Sequence, residues 1–395
     1  MNNINLITLI FSKARSNLTK TKIIRYSLFI LLLAFSISLI FILGVFHGVL
    51  KRPIAIFIEK MYYRWRVSNH PMYNTISSID SLTNPDELID IESASDLLAL
   101  RDSLIHFLWG KEKISDLMPH SVIRDWTDAR WSDVHEIQRI NKITVKMEFD
   151  IESNIYHFMS QNPNGQIIIF HAGHEGDFIK YKSIIARLLQ EGYDVLAFCM
   201  PLVGINNQPV VKIRKIGHIK LVHHNIMNLL DCKEGHPIKY FIEPVISAIN
   251  YIEENYRYTR VSMMGISGGG WTTTLCAAID PRIKLSFSVS GTLPLHLFSR
   301  LVEFEQMDPD MYKKFSYLEL YLMASYGEGR KHFQINNQYD PCCYYGINAL
   351  TYKDVVERRM AKLGVGKYEL IIDKNYEHSF SERTLDRILC ELRAQ

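Results

Sequence analysis

The stretch Met263-Met264-Gly265-Ile266-Ser267-Gly268-Gly269-Gly270-Trp271 constrains this chain more than any other. Residues 260–264 before it read as a short buried strand. Residues 271–279 after it read as a helix, stopped by Asp280-Pro281. A strand, one serine on a tight turn and a helix form the setting of a nucleophile elbow. Gly265 and Gly269 suit such a turn because a side chain at either would crowd the neighbouring backbone. The strain lifts the Ser267 hydroxyl above the sheet. The positive end of the following helix and the Gly268 amide can then stabilise a developing oxyanion. Alone, Gly-x-Ser-x-Gly is a weak pattern that a glycine-rich turn also satisfies, so its context has to decide.

The 395 residues suffice for one large domain plus a smaller region, and 47% apolar content allows a sizeable core. A net charge of +3 is too small to point to nucleic acid as a partner. Six scattered cysteines, two of them adjacent at Cys342-Cys343, show no paired Cys-x-x-Cys spacing. Neither a zinc ribbon nor a disulfide framework is indicated, and the redox compartment stays open. Residues 1–25 hold Lys13, Arg15, Lys20, Lys22 and Arg25 without any acid, and residues 26–50 hold no charge at all. That apolar run meets the requirement of roughly 20 residues for a spanning helix. A cleaved signal peptide would have a shorter apolar region ending in small residues, whereas Lys51-Arg52 follow here directly. The segment therefore reads as an uncleaved single-pass anchor, with the lipid bilayer as a partner. The basic tail places the amino terminus in the cytoplasm and the main domain beyond the membrane, although Lys51, Arg52, Lys60, Arg64 and Arg66 nearly balance the charge bias.

Residues 51–142 read as a helical stem. Tyr62, Tyr63 and Trp65 suit a membrane interface, Ser95 suits a helix N-cap, and Leu97, Leu100, Leu104 and Leu108 recur at helical spacing before Gly110. Trp126 and Trp131 fall in a further stretch expected to be helical. The stem is either a region packed on the main domain or a cap over its site.

From residue 143 the pattern becomes strand–helix alternation. Strands are expected at 143–151, 154–159, 166–170, 193–200, 260–264, 283–289, 332–336 and 368–372. A helix capped by Asp177 carries Ile184, Ile185, Leu188 and Leu189, and the last helix carries Leu385, Ile388, Leu389 and Leu392. Residues 201–240 look irregular and residues 292–330 mostly helical. Such alternation implies a largely parallel sheet covered on both faces. Residues 143–395 resemble the α/β-hydrolase superfamily, nearest to dienelactone-hydrolase, acetyl-xylan-esterase and prolyl-oligopeptidase-like domains. The residues that carry the likeness are 171–177 (His-Ala-Gly-His-Glu-Gly-Asp), 265–270, Asp280-Pro281-Arg282-Ile283, Asp340 and His378.

The resemblance implies a nucleophile, acid and base in that chain order. Ser267 is then the nucleophile and His378, after the last strand, the base. Asp340, after the preceding strand, is the acid, with Asp373, Glu303, Asp308 and Asp310 as rivals. Gly268 and Gly173 are the oxyanion donors, although Ala172 stands where the family often has glycine. The implied activity is hydrolysis of a small acyl ester, or less readily an amide, with no cofactor and no metal. Two other readings remain: a tethered binding protein without turnover, and a metal hydrolase. The second would use His171 and His174 with His218, His223, His224 or His236, yet no His-Glu-x-x-His helix is present. Lys212, Arg214, Lys215 and Lys220 form either a solvated face or a site for an anionic substrate.

Overall fold

Alternating apolar residues on the central strands face two opposite layers, and this alternation places every element around the site. The computed structural model describes residues 53–298 and 303–394, together with Leu31, Phe35, Ser36 and Ser38. The strands are β1 (Ser121–Ile123), β2 (Ile137–Lys146), β3 (Glu152–Ser160), β4 (Gln166–His171), β5 (Asp194–Phe198), β6 (Val210–Ile213), β7 (Gly217–Lys220), β8 (Arg260–Ile266), β9 (Ile283–Val289), β10 (Lys331–Asn337) and β11 (Lys367–Asp373). Nine of them form one sheet in the order β1-β2-β3-β5-β4-β8-β9-β10-β11, and β6 and β7 pair separately as a hairpin. Pairing is antiparallel from β1 to β5 and parallel from β5 to β11.

The longer helices are α1 (Pro53–Ser68), α2 (Ala94–Trp109), α3 (Lys182–Gln190), α4 (Lys239–Asn255), α5 (Gly268–Ile279), α6 (Tyr317–Ser325), α7 (Leu350–Leu363) and α8 (Glu382–Arg393). One face of the sheet, through Ile167, Ile169, Leu196 and Met263, packs on α2, α4, α5, α6 and α7. The other, through Ile168, Phe170, Val195 and Met264, packs on α3 and α8. Adjacent residues of one strand thus serve opposite cores, as a period of two requires.

Several expectations need correction. Residues 147–151 leave the strand because Phe149 and Asp150 adopt φ of 60° and 55° and close a turn between β2 and β3. The region read as a helical stem supplies β1 and the first half of β2 to the main sheet. Trp131 sits in a single 3₁₀ turn, Ala129–Trp131, with its ring packed on Phe158 and Phe178. Ser93 rather than Ser95 caps α2, forming a reciprocal capping box with Asp96. The irregular 201–240 segment includes the β6–β7 hairpin, and within 292–330 the helices are short: Phe304–Met307, Pro309–Tyr312 and α6. The proposed anchor at 26–50 lies almost wholly outside the described residues. Among the described residues, no helix is long and apolar enough to cross a membrane.

The helix behind the elbow, α5, is buried along its whole length. Its carbonyl end is met by two buried guanidinium groups. Arg101 of α2 donates to the carbonyls of Ala278 (2.8 Å) and Met323 (2.8 Å). Arg330 donates to the carbonyls of Ala277, Ile283 (3.1 Å), Met323 (3.1 Å) and Tyr326 (2.7 Å). Cations at a helix C-terminus offset its partial negative charge and satisfy its last carbonyls. Burial, reinforced by the neighbouring Arg101 charge, pushes Arg330 down to about 9. Replacing Arg330 by Met leaves buried carbonyls without donors, and we expect a loss of about 2–4 kcal/mol. Chemical denaturation of Arg330→Met beside Arg330→Lys measures it, and equal stability of wild type and Arg330→Met would refute the capping role.

Candidate active site

Ser267 follows β8 at φ 55° and ψ −127°, a backbone conformation that costs a serine about 1–3 kcal/mol. Its amide donates to the Val289 carbonyl of the adjacent strand (2.9 Å), and its carbonyl accepts from Trp271 (3.0 Å). Close backbone packing holds the turn in place. A Cβ on Gly269 would run into the carbonyls of His171 and Ala172, and one on Gly265 into the Gly269 carbonyl. The loop after β4 presses on the serine itself: a Cβ on Gly173 would lie 2.8 Å from the Ser267 Cβ. The Ala172 amide is committed to the Phe198 carbonyl at 3.0 Å, so of these two residues it is Gly173 that faces the serine. Gly268 opens α5, where the first amides have no acceptor within the helix.

Asp340 follows β10 and is fully buried. One carboxylate oxygen accepts from the amides of Cys342 (2.8 Å) and Cys343 (3.3 Å), and the other meets His378 Nδ1 at 2.8 Å. The His378 side chain is 7% exposed. Its Nε2 is buried without a hydrogen-bond partner. Burial disfavours the imidazolium, but the hydrogen bond and charge of Asp340 outweigh it and hold His378 above the ordinary histidine value. The rivals for the acid are engaged elsewhere. The Asp373 carboxylate accepts from the hydroxyls of Ser381 and Thr384 at the start of α8. Asp308 caps the Pro309–Tyr312 turn, and Glu303 lies 3.5 Å from His223.

Sequence reasoning missed Asn337, the last residue of β10. Its side-chain amide donates to the carbonyls of Glu377 (3.1 Å) and Ser379 (2.9 Å), gripping the loop on both sides of His378. A buried asparagine ending a strand just before the candidate acid was the available signal. The stem reaches the loop that carries Asp340. The Asn74 side-chain oxygen accepts from Gln338 (3.0 Å) and Tyr339 (3.2 Å), the two residues before Asp340.

Of the six histidines weighed as metal ligands, only His174 and His224 meet, and they do so around Glu305, which the sequence did not single out. His174 Nε2 lies 2.7 Å and His224 Nδ1 3.5 Å from one Glu305 oxygen. Although burial opposes ionisation of Glu305, hydrogen bonds from the two imidazoles draw it down to about 2. His171 is buried, its Nδ1 2.8 Å from the Ala172 carbonyl, and burial pulls it down to about 4. His223 caps the His224–Met227 turn and His236 stacks on Phe107. His218 is exposed on β7, as are Lys212 and Lys220 on the hairpin.

No protein-family model matches the chain, and no curated protein matches it. Solved structures do. Acetyl xylan esterase 1 from Thermoanaerobacterium sp. JW/SL YS485 aligns with TM-score 0.53 and 11% identity, over 78% of this chain and 98% of that one. This chain has the α/β-hydrolase fold. A glucuronoyl esterase from Solibacter usitatus is similar too, with TM-score 0.50 and 11% identity over 76% of this chain and 91% of that one. In this α/β-hydrolase fold, Ser267, Asp340 and His378 follow strands β8, β10 and β11, all at the carboxyl edge of the parallel sheet.

The contact between Gly173 and the elbow gives a direct test. Gly173→Ala forces its new methyl into Ser267, and overpacking of this kind costs about 1–3 kcal/mol. We expect a lower thermal midpoint together with loss of reactivity at Ser267. A variant as stable and reactive as wild type would show that the loop does not bear on the serine.

Proposed function

We propose that this protein is a serine hydrolase that cleaves a carboxylic ester through an acyl-enzyme, and that it is held at a membrane by residues 26–50. One observation carries the chemistry: a buried imidazole with Nδ1 bound to Asp340 and Nε2 unpartnered, on the same sheet edge as a strained serine. Ser267 Oγ attacks the ester carbonyl carbon while His378 Nε2 takes the hydroxyl proton. Asp340 keeps the other ring nitrogen protonated and stabilises the imidazolium. The amides of Gly268 and Gly173 receive the oxyanion. The alkoxide leaves with the proton returned by His378. Water, deprotonated by the same ring, then releases the acid and regenerates Ser267.

The esterases of similar fold support an ester over an amide as substrate. Anchoring rests on the uncharged run at 26–50, in which Leu31 and Phe35 are helical and 67% and 68% exposed, a placement suited to lipid. The basic tail favours a cytoplasmic amino terminus with the hydrolase domain on the far side. Alkaline phosphatase fused after Gln395 should then be active. Activity only from a cytoplasmic reporter at that position would reverse the orientation.

Ser267→Ala should abolish both fluorophosphonate labelling and ester hydrolysis while the circular dichroism spectrum stays that of wild type. Labelling that survives in this variant would sink the assignment.

The pH dependence has a definite sign. His378 must be neutral to accept a proton, and Asp340 holds its titration above the ordinary histidine value. The kcat/KM profile should therefore rise with pH along a limb centred above that value. In Asp340→Asn the two largest raising influences are lost and burial dominates, so the limb should move to lower pH while kcat falls by about 10⁴-fold. Asp373→Asn should leave the limb in place. An unmoved limb in Asp340→Asn would overturn the pairing.

A further inference from the structure

The geometry points to a second site in this protein: a zinc-class divalent metal ion bound by His174, His224 and Glu305, separate from the proposed serine chemistry. The three residues come from distant parts of the chain. His174 lies in the loop after β4, His224 begins the short His224–Met227 turn, and Glu305 sits in the Phe304–Met307 turn. One ligand atom from each lies within 4.8 Å of the others. Zinc binds imidazole nitrogen and carboxylate oxygen at about 2.0–2.2 Å, and two histidines with one glutamate leave a fourth position open.

The hydrogen bonds around the cluster favour a metal over a simple ion pair. His224 Nε2 is 2.7 Å from the Pro201 carbonyl. A carbonyl only accepts, so Nε2 carries a proton, and Nδ1 is the nitrogen left facing the Glu305 carboxylate at 3.5 Å. A histidine ligand that donates its other N–H to a backbone carbonyl is the usual arrangement at a metal centre, where that bond fixes tautomer and ring direction. Protons on both imidazoles would still serve only the Glu305 oxygen they face. The other oxygen, Oε2, is fully buried without a partner in a residue that is 0% exposed. An ion held by both nitrogens and the carboxylate accounts for all of these atoms. It also ties together three segments widely separated in sequence, where a clip that closes long loops gains most.

The site lies beside the elbow without sharing its residues. The His174 ring packs directly on Gly268, next to Ser267. Phe304 donates from its amide to Asn225 (3.0 Å), and Tyr312 donates to the Glu305 carbonyl (3.2 Å), so the Glu305 turn is already braced. A metal there would fix the wall of the proposed oxyanion pocket.

The test is metal content of the full-length chain. Protein stripped with a chelator, equilibrated with zinc chloride at neutral pH and desalted should carry one zinc per chain by mass spectrometry, and its thermal midpoint should rise with zinc concentration. His224→Ala and Glu305→Gln should lose both effects. Because Glu305 is buried and its replacement can disturb folding, His174→Ala, at a partly exposed position, provides the second measurement. Ser267→Ala should keep its zinc, which separates failure of this site from failure of the serine mechanism. Wild type that binds no zinc would overturn the proposal. Zinc retained by His174→Ala and Glu305→Gln but lost from Cys343→Ser would place the ion at the Asp340–Cys342–Cys343–His378 group instead, and would overturn it equally.

Discussion

The site depends on one close backbone approach. The first turn of α5 lies against the loop after β4, with Gly269 on the His171 and Ala172 carbonyls and Gly173 on Ser267. Side chains are excluded from that contact by distance alone, and the exclusion holds the serine at a positive φ. A strained turn persists only where its surroundings over-determine it. Here the surroundings are a fully buried helix and a central strand paired on both sides. The far end of the same helix is closed by Arg101 and Arg330. The dipole that presents positive charge to the elbow is thus matched by cations at its other terminus.

The candidate acid and base, Asp340 and His378, are held by a different device. Asp340 is clamped through one oxygen by two backbone amides, leaving the other for His378. Asn337 grips the His378 loop on both sides, so the ring cannot swing away without breaking two partly buried hydrogen bonds. The stem bonds to the residues just before Asp340, and its helix α2 supplies Arg101 to the core. The stem therefore packs on the main domain and braces the residues beside the site.

Buried carboxylates recur with different solutions. Asp340 uses amides and one imidazole. Glu305 has two imidazoles directed at one oxygen and nothing at the other. Burying a charge is costly unless every lone pair finds a partner. The contrast between a fully satisfied carboxylate and a half-satisfied one, within one domain, is what singles out the Glu305 cluster.

The sequence by itself determined most of the order of strands and helices after residue 143, though not the β6–β7 hairpin, because hydrophobic period and turn residues are local properties. It also determined the elbow, because a strand, four glycines around a serine and a helix are contiguous. That the sheet is covered on both faces was legible in unbroken apolar runs such as Ile167-Ile168-Ile169-Phe170, but which residue serves which layer was not. What only the tertiary structure decided were matters of distance between remote segments. Asp340 and His378 lie 38 positions apart, and several carboxylates were available to that ring. His174 and Glu305 lie 131 positions apart, with no pattern linking them. That the Phe198 carbonyl takes the Ala172 amide is likewise a pairing that no local pattern shows. The edge strand β1 inside the supposed stem escaped notice because it is three residues long, too short for a period of two to register. Local periodicity encodes elements; only packing and hydrogen-bond satisfaction in the folded chain select which side chains meet.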